Sequence, residues 1–204
     1  MASDYGFKIW NSGSGAEETV RSFPSHRRLV SPEDTDWAAT FDFNDLAKNH
    51  CAATTVTNYA LWYLREYLGR QDADGTNAGV IRQIFTDVHH FIPNGPVLRL
   101  KNKAARFFRA AKLPIEVISI KEEAIQDELD AGNPVAIMVA ASLMQWHWVL
   151  VVGYIFSEDG TRSYLIEDNW HRRGLYTYRP GVGSRLLDVL AFHVDREGAA
   201  VQEL

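Results

Sequence analysis

The sequence predicts an α+β fold, and three observations support that prediction. Helical apolar spacing dominates between residues 49 and 112, strand-like segments cluster after residue 115, and the two kinds of element do not alternate as βαβ units would. The chain has 204 residues, of which 46% are hydrophobic and 23% charged, so one globular domain is the default.

The first 44 residues differ from the rest of the chain. They contain Gly13-Ser14-Gly15, Pro24 and Pro32, and their apolar residues follow no helical or strand period. We expect residues 1–44 to be an extended segment that either lies on the domain as a strap or forms a separable prosegment, with residues 45–204 as the main domain. Its aromatic residues would anchor it: Tyr5, Trp10, Trp37, Phe41 and Phe43.

A long, central helix is predicted between Asn49 and Gly69. Apolar residues recur there at helical spacing and cover nearly the whole circumference, which is typical of a buried helix. Asn49 is the expected N-cap and Gly69 the expected residue after the last turn. Cys51 then lies in the first turn of this helix.

The remaining elements follow from periodicity and from Gly and Pro positions. Helices are predicted over 78–91, 102–112 and 122–131, the last ended by Gly132. Glu158-Asp159-Gly160 is typical of a hairpin turn. Strands are predicted over 115–120, 134–140, 146–155, 163–167, 175–178 and 189–194.

Composition excludes several classes of function. Lys and Arg total 21 against 26 Asp and Glu, with no basic block, so we expect no nucleic-acid partner. No stretch approaches 18 apolar residues, so we expect no membrane partner. The N-terminus lacks a signal-peptide pattern, which fits a cytoplasmic protein or a secreted form trimmed of its signal. No metal-ligand spacing or dinucleotide fingerprint is present, so no metal or cofactor is expected.

Cys51 is the only thiol available for chemistry. A thiolate is the reactive form of cysteine, and the positive end of a helix dipole favours it. The alternative is that Cys51 is simply a small buried hydrophobe.

Two later segments carry polar residues that could assist a thiol. His147 begins a strongly apolar strand, where an imidazole needs a partner, either as a general base or as a satisfied core histidine. Asp168 or Asn169, at the end of the next predicted strand, could accept the second N–H of His147, although Asp-Asn also suits an ordinary turn.

Three segments together resemble papain-like cysteine peptidases. They are Asn49-His50-Cys51-Ala52-Ala53-Thr54, His147-Trp148-Val149-Leu150-Val151-Val152-Gly153-Tyr154 and Ile166-Glu167-Asp168-Asn169-Trp170. They look closest to the bacterial branch: streptopain, staphopain and the leader-peptide peptidases of bacteriocin exporters. The resemblance covers about residue 44 to the C-terminus. It implies a helical half with the Cys-bearing helix, packed on an antiparallel sheet half, with the active cleft between them.

The resemblance also implies roles for individual residues. Cys51 matches the nucleophile and His147 the base, while Asp168 matches the orienting residue because it stands two positions before Trp170, which would shield the triad from water. One position departs from the family: Asp45 stands where a glutamine usually donates to the oxyanion, and an ionised carboxylate cannot donate. Asn44 or Asn49 would then act with the Cys51 backbone N–H, or the oxyanion hole is impaired.

The function implied is that of a cysteine peptidase, acting on a peptide or protein substrate through a Cys-His-Asp triad and an acyl-enzyme. The same triad also serves transamidases, deamidases and acyltransferases. A third alternative is an inactive papain-like binding module, which Asp45 would favour.

Overall fold

Helices dominate the first half of the chain and strands the second half in the computed structural model, which describes residues 2–10, 27–30, 35–73, 75–95, 97–157 and 159–194. The α-helices of these ranges are α1 (Cys51–Trp62), α2 (Ala78–Phe91), α3 (Leu100–Ala110) and α4 (Ile125–Asp130). Short helical turns cover Ala2–Tyr5, Thr40–Phe43, Gln71–Ala73 and Glu122–Ala124, and a π-helical turn, Tyr63–Tyr67, extends α1. None of the described helices has the length and apolar character needed to span a bilayer.

The strands of the described residues form one antiparallel sheet. They are β1 (Lys8–Trp10), β2 (Arg27–Leu29), β3 (Ile115–Ser119), β4 (Val135–Ser142), β5 (Gln145–Phe156), β6 (Arg162–Glu167), β7 (Leu175–Tyr178) and β8 (Arg185–Val194). The strand order is β1-β7-β6-β5-β4-β8-β3, and β2 pairs with the C-terminal part of β5, which extends beyond the start of β4. Helices α1, α2 and α3 pack on one face of this antiparallel sheet and α4 packs on the other, which confirms the predicted α+β class.

Helix α1 is the central element, as its apolar circumference predicts. Every residue from 52 to 62 is buried, and the helix contacts both α2 and β5. The hydroxyls of Thr54 and Thr57 donate to the carbonyls of His50 and Ala53, which satisfies these polar groups inside the core.

The start of α1 differs from the prediction by one residue. His50, not Asn49, is the N-cap, and its side chain makes no capping hydrogen bond. Asn49 adopts a left-handed conformation with φ of 51° and turns the chain into the helix. The predicted end is confirmed, since Gly69 is left-handed with φ of 64° after the π-helical turn.

The N-terminal segment contributes more regular structure than its sequence indicates. Strands β1 and β2 add to the sheet, but three residues are too few to reveal alternation in a sequence. Tyr5, Trp37 and Phe43 are buried as expected, whereas Phe41 is exposed. Gly13-Ser14-Gly15, Pro24 and Pro32 lie outside the described residues, and the division at residue 44 stays a prediction.

The last strand shows how exposure hides a strand from sequence reasoning. β8 begins at Arg185, four residues before the predicted start at 189. Its first four residues are exposed or half-buried, and Asp188 interrupts their apolar character, whereas the buried run begins at Val189.

The predicted helix over 78–91 has the observed bounds of α2.

Candidate active site

An open cleft of about 1090 Å³ lies at the start of α1. Cys51 and His147 both line it, as do Trp170 and the two oxyanion candidates, Asn44 and Asn49. These five residues come from four parts of the chain: the turn after Thr40–Phe43, the start of α1, the start of β5 and the loop after β6. The structure brings these four segments together around one cleft.

Cys51 is the first residue of α1 and is only partly exposed. Burial raises the pKa of its thiol, and this outweighs backbone hydrogen bonds from Trp148, Ala52 and Cys51 itself, which lower the pKa. The helix N-terminus therefore does not by itself produce the thiolate that the sequence favours. At neutral pH the resting sulfur is mainly a thiol, and a base must take its proton.

His147 supplies a neutral imidazole in the same cleft as this thiol. Its Nε2 donates a hydrogen bond of 2.7 Å to the backbone carbonyl of Asp168, which fixes the ring and places the proton of the neutral form on Nε2. Nδ1 is then the nitrogen that carries the lone pair. Burial lowers the pKa of His147 to about 4, so the ring is neutral at physiological pH. Trp148, the next residue, hydrogen-bonds to the Cys51 sulfur through its backbone, which sets β5 directly against the thiol.

Three aromatic rings cover His147. Trp170 stacks on the imidazole with ring centroids 3.9 Å apart and planes within 5° of parallel. Tyr5 and Phe7, from the N-terminal segment, lie 5.5 Å and 6.5 Å from the same ring. We call Tyr5, Phe7 and Trp170 the aromatic layer. It excludes water from the imidazole and accounts physically for the low pKa of His147.

The Asp168 carboxylate does not face His147, and here the triad expected from the sequence needs correction. The carboxylate accepts hydrogen bonds from the backbone N–H groups of Trp170 (2.9 Å) and His171 (3.1 Å) and from Nδ1 of His171 (2.8 Å). An aspartate at a turn folds back onto the backbone that follows it, which leaves its own carbonyl to face His147. Asp168 thus contacts the imidazole through its main chain.

The departure at Asp45 does not reach the cleft. Its carboxylate pairs with Arg82 in solvent, and this hydrogen bond lowers the pKa of Asp45. Asn44 and Asn49 are exposed and line the cleft on either side of that residue. The backbone N–H of Cys51 belongs to the first turn of α1, where N–H groups have no partner within the helix. Donors of the kind an oxyanion needs are therefore present in the cleft wall.

Asn169 joins the two sides of the site, a role the sequence does not reveal. Its Nδ2 donates to the carbonyl of Trp148 and to Oγ1 of Thr55, both at 2.6 Å, and lies 3.4 Å from the carbonyl of Cys51. One buried amide therefore bridges α1 and β5 next to Cys51 and His147. The residue is left-handed, with φ of 62°, a conformation that asparagine adopts more readily than most residues.

Glu167 and Asn58 complete this set of contacts. The Glu167 carboxyl accepts hydrogen bonds from the backbone of Asn169 (2.6 Å) and from Nδ2 of Asn58 (2.9 Å). Asn58 also exchanges hydrogen bonds with the backbone of Ala38. We call Thr55, Asn58, Glu167 and Asn169 the polar layer. Burial, reinforced by the nearby charge of Asp168, raises the pKa of Glu167 well above its ordinary value.

A sequence signal for the polar layer exists but is weak. Glu167 closes an apolar strand and is followed by Asp and Asn, which resembles a solvated turn as closely as it resembles a buried network. Asn58 sits in the middle of a buried helix, where a polar side chain requires partners. The position of Asn58 inside a buried helix is therefore the sequence observation that could have predicted the polar layer.

His50 and His171 are the other imidazoles at the cleft. His50 is buried, its Nε2 lies 2.8 Å from the carbonyl of Thr40, and burial lowers its pKa. Its ring packs edge-on against Phe43 and Phe85. In the part of the chain that the structure describes, no group of three or more His, Cys, Asp and Glu side chains could hold a metal ion.

Comparisons with known proteins give similarity in structure only. No family model matches the chain, and no curated protein matches it in sequence. Among solved structures, the chain is similar to the bromelain protease from Ananas comosus in complex with the E64 inhibitor, at 11% identity and a TM-score of 0.39, over 81% of this chain and 100% of that one. It is also similar to a recombinant stem bromelain precursor, at 13% identity and a TM-score of 0.38, over 80% and 71% of the two chains. The function is therefore inferred from the site.

Proposed function

We propose that the protein is a cysteine peptidase, a thiol-dependent amide-bond hydrolase of papain-like type. The observation that carries the proposal is the pairing in one cleft of the chain's single thiol, at the start of a buried helix, with a neutral imidazole held by a main-chain carbonyl. The motif resemblance to the bacterial papain-like branch, around Cys51, His147 and Trp170, supports the same function.

In this mechanism His147 acts as general base and then as general acid. Nδ1 takes the thiol proton as Sγ of Cys51 attacks the substrate carbonyl carbon. The backbone N–H of Cys51 and the side chain of Asn44 or Asn49 stabilise the oxyanion. The imidazolium then protonates the leaving amine, the C–N bond breaks and a thioester remains. Water, deprotonated by His147, releases the acid and restores the thiol.

The pKa directions decide when the proton moves. Burial raises the pKa of Cys51 and lowers that of His147, so both groups start neutral. The proton then transfers during attack, and the charge on the imidazolium is stabilised by the Asp168 carbonyl. The carbonyl thus has the positioning role that the resemblance assigns to an Asp168 carboxylate.

Acyl-enzyme formation tests this proposal directly. We expect wild-type protein, incubated with an activated peptide ester, to gain one acyl mass, and Cys51→Ala protein to gain none. Cys51 is the only cysteine, so the labelled site is unambiguous. His90→Gln, outside the cleft, is the control and should acylate normally. Full hydrolysis of peptide amides by Cys51→Ala protein would contradict the proposal.

Product analysis in the presence of an added primary amine separates hydrolysis from acyl transfer. We expect the free acid to be the main product at all amine concentrations that leave water in large excess. A product that is mainly the new amide would instead assign the same thiol to a transamidase or acyltransferase.

A further inference from the structure

The turn between β4 and β5 carries two large apolar side chains in water. Ser142 pairs with Gln145, so Leu143 and Met144 form a two-residue connection, and they are 88% and 92% exposed. Two-residue hairpin loops favour Gly, Asn and Asp. Leu and Met are not among the residues that such a turn favours, and their side chains form adjacent apolar surface exposed to solvent.

This hairpin tip lies between the cleft and a second groove. Met144 lines the cleft, Leu143 lines a neighbouring groove of about 620 Å³, and Trp146 lines both. The apolar surface is therefore continuous from the cleft, across Trp146, to the groove. A polypeptide extending out of the cleft on this side passes over the tip.

The groove has a single charge among its described lining residues. Small residues such as Ala140 and Gly183 form part of its wall, Leu187 adds exposed apolar surface, and Arg185 supplies the charge. No carboxylate of the described residues pairs with the Arg185 guanidinium. The surface is thus complementary to an apolar segment that also carries an acidic side chain.

We propose that the hairpin tip and the groove bind the substrate polypeptide outside the scissile bond. A large apolar substrate side chain packs on Leu143, Met144 and Trp146, and a neighbouring Asp or Glu pairs with Arg185. This inference rests on the proposed peptidase function, and it specifies the substrate class: extended polypeptides with an apolar-acidic segment, in preference to short amides.

The test uses a double variant that keeps the turn. Leu143→Ser with Met144→Asn places turn-compatible residues at the tip, and the Ser142 hydroxyl, 3.4 Å from Oε1 of Gln145, still links the two flanks. An unchanged melting temperature checks the fold. Leu68→Ser removes another exposed apolar side chain, 49% exposed, that lines neither pocket, and serves as the control.

The readout is the ratio of kcat/KM for a long peptide, with a Leu-Glu segment beyond the scissile bond, to kcat/KM for its truncated form. We expect the double variant to lower this ratio about tenfold and Leu68→Ser to leave it unchanged. Arg185→Gln should lower the preference for Glu over Gln in that segment about two- to fivefold. An unchanged ratio in the double variant would overturn the inference.

Binding to the Cys51→Ala protein separates this inference from the proposed function. That protein should bind the uncleaved long peptide more tightly than the truncated one, and the tip substitutions should remove the difference even if no peptide is ever cleaved. Sedimentation tests whether a second copy of the chain binds the hairpin tip instead of a substrate. If wild type is a dimer and the double variant is a monomer, the tip is a self-association surface and the inference fails.

Discussion

The polar layer beside Cys51 and the aromatic layer over His147 hold the two halves of the site in different ways. The polar layer uses directional hydrogen bonds, among them two of 2.6 Å from Asn169, and all four of its residues are buried. The aromatic layer packs three rings on one imidazole, whose hydrogen-bond acceptor is a single carbonyl, that of Asp168.

The two layers therefore control different properties: the polar layer controls the position of α1 relative to β5, and the aromatic layer controls the protonation of His147. Hydrogen bonds fix α1 against β5 to within tenths of an ångström, because their strength depends on distance and angle. Ring packing tolerates more movement but excludes water, and exclusion of water keeps His147 neutral. Two of the three rings come from the N-terminal segment, so that segment helps to set the chemistry of a site whose reacting groups lie elsewhere in the chain.

The largest effect should come from breaking the polar layer at Asn169. Asn169→Ala removes the amide that bridges Trp148 and Thr55, leaving buried polar groups unpaired and placing alanine in a left-handed conformation. We expect a loss of about 3 kcal/mol in the free energy of unfolding, measured by urea denaturation. Asn133→Ala, which removes one half-buried hydrogen bond to Glu128, should lose about 1 kcal/mol or less. Equal losses in the free energy of unfolding would mean that the polar layer stabilises the fold no more than one half-buried hydrogen bond does.

Glu167 gives an effect on stability that depends on pH. Its folded pKa lies above the ordinary value of 4.5, so above pH 4.5 the unfolded chain is ionised while the folded protein still holds the proton. Stability from this residue is therefore fully present below that pH and falls as pH rises, by about 1.4 kcal/mol per pH unit until the folded pKa is reached. We expect Glu167→Gln to abolish this decrease of stability with rising pH.

The contributions of Glu167 and His147 to the free energy of unfolding change with pH in opposite directions, so the two contributions can be told apart. His147, with its pKa lowered from 6.5 to about 4, contributes stability that rises with pH across that interval. Subtracting the wild-type urea-denaturation curve from that of Glu167→Gln cancels the His147 contribution. We expect a difference that grows with pH in favour of the variant, and a flat difference would show that Glu167 ionises normally in the folded protein.

The smallest effect should come from opening the aromatic layer. Tyr5→Ala admits water to the imidazole, so the pKa of His147 should rise from about 4 towards 6.5 by about one unit. The acidic limb of kcat/KM should move to higher pH by the same amount. Tyr67→Ala removes a ring that stacks on Tyr63 outside the cleft and should leave the profile in place. If both profiles coincide with wild type, the rings do not control protonation.

The sequence predicts the parts of this site that depend on local pattern. Apolar periodicity places Cys51 at a helix start, and the apolar strand identifies His147 as a polar group needing a partner. Side-chain direction is a tertiary property: Asp168 was expected to face His147 with its carboxylate, but the turn directs that carboxylate to His171. Asn58, inside a buried helix, signals that it needs a partner, but Glu167 lies 109 positions away and a single sequence does not identify it as that partner.

If Cys51 and His147 share one proton, the rate of Cys51 alkylation by iodoacetamide between about pH 4 and 9 should show it. A thiol and a neutral imidazole that exchange a proton keep one protonation state between two macroscopic pKa values. We therefore expect the alkylation rate to be independent of pH above about pH 5 in wild type and in the control variant His171→Gln. His147→Ala should lose this plateau, and its rate should fall about tenfold for each unit of decreasing pH, as the rate of a lone thiol does. A wild-type rate that falls about tenfold for each unit of decreasing pH, with the same profile in His147→Ala, would mean that the two groups do not share a proton.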